Sequence, residues 1–150
     1  MQCSLALLSA GVFCVLLAGC VEQKTGEPIA VRDAWIREPP PRSPAAGYLV
    51  IENRGENSVE LIAAETQAAE RTEIHIMEHK DNRMTMRQAD AIAIPVGGQV
   101  EMKSGGTHLM LMQLRQPLKV GDEVELVLHF SDQSQLRIKA PVRKGNYAVD

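Results

Sequence analysis

The sequence predicts an all-β domain, a sandwich or a barrel, on three observations. Short runs rich in apolar and β-branched residues alternate with turn residues along the chain. No stretch of convincing length carries a helical period. The chain beyond an apolar leader has the length of one domain and suffices for a single core.

Taken in order, the β-type runs are Val31 to Arg37, Ala46 to Asn53, Val59 to Glu65, Thr72 to His79, Met84 to Gln88, Ala91 to Ile94, Gln99 to Lys103, His108 to Leu114, Glu123 to Phe130 and Gln135 to Val142. Pro39-Pro40-Pro41 separates the first two, because proline lacks the amide that a central strand must donate. Asn53-Arg54-Gly55-Glu56-Asn57 reads as a hairpin connection, and Pro117 to Asp122 as a turn before the next strand. Ala63 to Arg71 has helical propensity but is expected to form at most a short turn at a strand end. No internal repeat is present.

The first 20 residues contain no charged side chain, and Leu5 to Leu17 is almost wholly apolar, the form of an export signal. Its apolar run is short for a spanning helix. Leu17-Ala18-Gly19-Cys20 looks like a bacterial lipobox, where cleavage before the cysteine leaves a lipidated Cys20 at the new N-terminus. The expected organisation is a lipoprotein signal peptide over residues 1–19, a lipid-anchored linker over 20–30, a folded domain over 31–143 and a short C-terminal tail over 144–150. Gly26 and Pro28 suit the linker. The expected location is extracytoplasmic, periplasmic, and membrane-attached through lipid.

With Cys3 and Cys14 removed with the leader and Cys20 lipidated, no thiol is left in the chain. That excludes a disulfide framework, a CxxC redox centre and a blue-copper electron-transfer site, each of which needs cysteine sulfur. A net charge of −3 with both signs interspersed leaves no basic stripe for nucleic acid. Aromatics are too few for stacking platforms. No Gly-rich phosphate loop, nucleophile elbow or HExxH occurs. Glu73, Glu78 and Asp81 read as solvated charges.

The residues that carry chemistry are His75, Met86, His108 and Met110, spaced H-x10-M-x21-H-x-M. Soft thioether sulfur selects Cu(I), and imidazole also suits copper. Taken singly, a methionine on a strand is most often core filler and a lone histidine most often a surface residue. Strand alternation adds a constraint. If Asp81-Asn82 tips a hairpin, Met77 faces Met86, His79 faces Met84, and His75 lies diagonal to Met86, all on one face. Met77, His79 and Met84 are therefore possible auxiliary ligands. His108 and Met110 share a face while Leu109 and Leu111 point to the core, and Ser104-Gly105-Gly106 lets the chain turn tightly and bring His108 to the rim. His129 reads as structural.

This spacing, with Ala34-Trp35-Ile36-Arg37 and Gly105-Gly106-Thr107-His108-Leu109-Met110-Leu111-Met112 around it, resembles the PCuAC family of periplasmic copper chaperones over roughly residues 30–143. The resemblance implies a cupredoxin-like Greek-key β-sandwich that binds Cu(I) through His75, Met86, His108 and Met110. It also implies delivery of copper to the binuclear centre in cytochrome c oxidase subunit II, usually with a thiol-bearing copper chaperone as second partner. Neutral and apolar neighbours, Leu109, Leu111, Met112 and Pro39 to Pro41, are expected to offer docking surface. Some members carry a His/Met-rich tail; residues 144–150 hold neither residue, so a tail-borne second site is not expected. Two other readings use the same residues differently: copper sequestration without delivery, and a structural lipoprotein that binds no metal.

Overall fold

The computed structural model describes residues 28–80 and 83–145, with the backbone alone for His79 and Lys80. The leader, Cys20, Asp81-Asn82 and the tail from residue 146 lie outside the described residues. Every described element is extended: β1 Ile29–Arg37, β2 Ala45–Asn53, β3 Val59–Glu65, β4 Ala69–Lys80, β5 Arg83–Ala89, β6 Ile92–Ile94, β7 Gln99–Met102, β8 His108–Leu114, β9 Glu123–Phe130 and β10 Gln135–Arg143.

The strands form two layers joined at one corner. One sheet runs β5-β4-β8-β2-β1, with β7 also paired to β2, and the other runs β10-β9-β3-β6. A short parallel pairing of Ile36 with Val142 and Arg37 with Arg143 links them. The chain changes sheet at β2 to β3, β3 to β4, β5 to β6, β6 to β7 and β8 to β9, which makes the sandwich a Greek key rather than a meander. The fold is a cupredoxin-like β-sandwich.

Alternation fills the core. Val124, Leu126, Leu128 and Phe130 point inward from β9, and Leu109 and Leu111 from β8, against Ile36, Leu49, Ile51, Leu61 and Val142. Each such buried side chain contributes roughly 1.5–3 kcal/mol by its removal from water. Two bulges break the period. Between Arg32 and Trp35 on β1 one extra residue enters, with Asp33 at φ 55°, so that Trp35 pairs with Tyr48. Between Leu61 and Ala63 the shift puts Ala64 inward after Leu61.

The Asn53–Asn57 connection is not a hairpin, because β2 and β3 lie in different sheets. The loop crosses between layers and is pinned by Asn53, only 2% exposed. Its side-chain amide donates to the carbonyls of Asn57 (2.8 Å) and Ile94 (3.0 Å), and its oxygen accepts from the Gly55 amide (3.0 Å). A hairpin leaves its turn asparagine in solvent; a crossing loop must satisfy buried backbone groups, and Asn53 does so. The run from Ala63 to Arg71 forms a turn at Gln67-Ala68 between β3 and β4, as its composition suggests.

Candidate metal centre

The outer face of the β5-β4-β8-β2 sheet gathers His75, His108, Met77, Met84, Met86 and Met110. On β4, Glu73, His75 and Met77 share this face, and β4 pairs on one side with β5 and on the other with β8. His75 stands opposite His108. Glu73 stands opposite Met110, and Met77 opposite Met86. The hairpin register is the expected one, with His79 opposite Met84 and His75 diagonal to Met86. His75, Met86, His108 and Met110 thus occupy one patch across three adjacent strands, and Met77 and Met84 border it.

The two imidazoles meet edge to face, with ring centroids 5.8 Å apart and planes at 64°. Each has one ring nitrogen committed. His108 Nδ1 lies 2.8 Å from the Gly106 carbonyl, which can only accept, so Nδ1 carries the proton and Nε2 keeps its lone pair. The Ser104-Gly105-Gly106 turn sets this contact, with Gly105 at φ 75° and the Gly106 amide donating to the Lys103 carbonyl at 3.0 Å. His75 Nε2 lies 2.9 Å from a Glu73 carboxylate oxygen and is the protonated nitrogen there. His75 Nδ1 is buried and has no hydrogen-bond partner. A buried acceptor without a partner is costly in an apo site and is what a metal ligand requires.

Glu73 is therefore not the solvated charge that its sequence context suggests. Its side chain is 16% exposed and bridges Arg71 Nε at 2.7 Å to His75. Hydrogen bonds from Arg71 first and His75 second hold its carboxyl below the ordinary range, against a smaller opposing effect of burial. Glu78, by contrast, is exposed and pairs with Arg87. Strand alternation was the available signal for Glu73, since position 73 shares the face of position 75.

His108 is 7% exposed, deeper than the rim position expected of it. Tyr48 covers it, with ring centroids 6.4 Å apart, and Trp35 packs on Tyr48 at 4.7 Å with the rings tilted by 41°. The Arg37 guanidinium sits 5.4 Å from the Tyr48 ring centre and donates to the Tyr48 hydroxyl. Burial pushes the His108 imidazole below its ordinary pKa, and repulsion from His75 and Arg37 adds to this, while the Gly106 hydrogen bond opposes it. The neutral, ligating form is favoured.

Among the described residues no three His, Cys, Asp or Glu side chains cluster as a metal-binding group. An ion at the histidine pair would complete its shell with thioethers, and the donor set N2S2 fits a soft monovalent ion. Leu109 and Leu111 are fully buried, so they belong to the core and not to a docking surface. Met102 is also core, at 2% exposure. His129 lies on the other sheet, its Nε2 3.5 Å from Glu65.

Comparison with known proteins gives a consistent set. Residues 29–142 match the family described as "Putative lipoprotein LpqE-like". A relative from Leifsonia xyli subsp. xyli, "Putative lipoprotein Lxx21020", is 30% identical over 121 residues, which is 80% of this chain and 72% of that one. The solution structure of CuI-DR1885 from Deinococcus radiodurans superposes with a TM-score of 0.68 at 29% identity, covering 83% of this chain and 87% of that one. The copper-bound PCuAC domain from PmoF2 superposes at 0.67 with 24% identity, over 79% of this chain and 94% of that domain, a likeness of fold.

Proposed function

The chain belongs to the LpqE-like family, and from that premise we propose that it is a lipid-anchored, extracytoplasmic copper chaperone. It holds one Cu(I) through His75, Met86, His108 and Met110 and passes it to the binuclear centre of cytochrome c oxidase subunit II, with a thiol-bearing copper chaperone as second partner. The observation that carries the reading is the facing histidine pair. Each ring has one nitrogen held by a hydrogen bond and the other left with its lone pair, beside thioethers on the same sheet face.

Likeness to copper-bound relatives of the same fold supports the choice of ion. The donor chemistry supports transfer. Residues 21–150 contain no cysteine, so a partner offering thiolates outcompetes thioether and imidazole for Cu(I). Burial favours the neutral form of His108, whose Nδ1 proton is held by the Gly106 carbonyl, leaving Nε2 for the ion. The role is that of a carrier and not of an enzyme.

The test is an anaerobic Cu(I) competition titration of the native protein against a His108→Ala, Met110→Ala double variant. One-to-one binding that the variant loses is the expected result; binding unchanged by the variant, or none at all, overturns the site. Delivery is tested separately, by oxidase activity in a deletion strain. Loss of activity rescued by added copper is expected, and undiminished activity would leave sequestration as the role.

A further inference from the structure

The β4–β5 hairpin carries more thioether than the four-residue site uses. Every residue of β5 except Ala89 is exposed, so this edge strand adds almost nothing to the core. Yet it presents Met84 and Met86, 50% and 51% exposed, two of the five exposed large apolar side chains among the described residues. Met77 stands directly opposite Met86, and Met84 is diagonal to Met77. Side chains directly opposite have Cβ atoms about 4.5–5.5 Å apart and diagonal ones about 7–8 Å, within convergence range for three long, flexible thioethers.

Beside the three methionines, the charged side chains of the hairpin lie on its other face. Glu78 pairs across to Arg87 there, and Arg83 shares that side of β5 by alternation. The methionine face is neutral from Met84 to Gln88. A neutral, flexible, sulfur-only donor set is suited to a soft monovalent ion and poorly suited to Ca, Mg or Zn.

We propose that Met77, Met84 and Met86 form a second, outer site for Cu(I), which captures the ion and hands it to the histidine pair while Met86 stays bound. This rests on the four-residue site as the destination. In the transfer, the bonds from copper to the Met77 and Met84 sulfurs break as bonds to His75 Nδ1, His108 Nε2 and the Met110 sulfur form. No electron moves, and with both rings in their neutral forms no proton is released.

Silver(I), a redox-inert soft ion, is the probe. The protein, carrying 13C-methyl methionine, is titrated as wild type, as His75→Ala, His108→Ala, and as Met77→Leu, Met84→Leu, a nearly volume-conserving pair. In the wild type the first equivalent is expected to end on the four-residue site and shift the Met86 and Met110 methyls. The histidine variant, which lacks that destination, is expected to hold its first equivalent at the hairpin, moving Met77, Met84 and Met86 and not Met110; the leucine variant keeps the wild-type first equivalent. Met77 and Met84 methyls unmoved by silver in the histidine variant would overturn the outer site. A first equivalent that leaves Met110 unmoved in the wild type would instead overturn the four-residue site, whatever the hairpin does.

Discussion

Removing the Glu73 carboxylate should cost metal affinity and leave the fold nearly intact. In the structure Glu73 fixes His75 through a 2.9 Å bond to Nε2, and Arg71 fixes Glu73 at 2.7 Å. In Glu73→Ala, His75 loses the acceptor that holds its proton on Nε2, and the proton is free to move to Nδ1, the nitrogen needed for the ion. Partners that orient a ligating histidine are typically worth 10–100-fold in affinity, about 1.4–2.7 kcal/mol. Stability should change far less. The Arg71 side chain is 55% exposed, and ion pairs this open to solvent contribute about 0–1 kcal/mol. Glu73→Gln keeps an acceptor without the charge and should fall between wild type and Glu73→Ala. The assay is anaerobic Cu(I) competition against a chromogenic chelator, with thermal melting of the apo protein alongside. Equal affinity for wild type and Glu73→Ala would refute the role of Glu73. So would an affinity loss matched by a large drop in melting temperature, which would mean the site had merely unfolded.

Three further outcomes rest on named contacts. Because burial lowers the His108 pKa in the fold, its contribution to stability is full above the unfolded value of about 6.5 and is lost as pH falls through the lower folded value; apo stability should decline below pH about 6.5, less steeply in His108→Gln, and equal slopes would contradict the account. Asn53→Ala removes three hydrogen bonds, two to the Asn57 and Ile94 carbonyls and one from the Gly55 amide, so urea denaturation should show a loss of about 3 kcal/mol; a loss under about 1 would mean water replaces the amide. Gly105→Ala meets no atom within 4 Å but forces a side chain onto φ 75°, which should cost about 1–2 kcal/mol, and an unchanged denaturation midpoint would show that the turn relaxes.

Much of the fold and the site was legible before any coordinates. Alternation in Val124 to Phe130 and His108 to Leu114 marks strands with one buried face, and the β4–β5 register agrees with a tip at Asp81-Asn82. Period-2 geometry then decides which side chains share a face, whatever the sheet's surroundings. Asn53 to Asn57 misled, because turn residues announce a change of direction and not which sheet the chain enters next. The bulge at Asp33 was hidden for a related reason: one extra residue leaves composition unchanged while moving Trp35 beside Tyr48.

The sequence by itself determined the strands, the one-faced His/Met hairpin and the soft, thiol-free donor set, since these depend on local periodicity and on the chemistry of each side chain. Only the tertiary structure decided that His75 faces His108, that Glu73 and the Gly106 carbonyl hold one nitrogen of each ring, and that Tyr48, itself packed by Trp35, covers His108. Those facts depend on β8 lying between β4 and β2, and pairing between strands distant in sequence is set by how two sheets close over a common core, which no local pattern encodes.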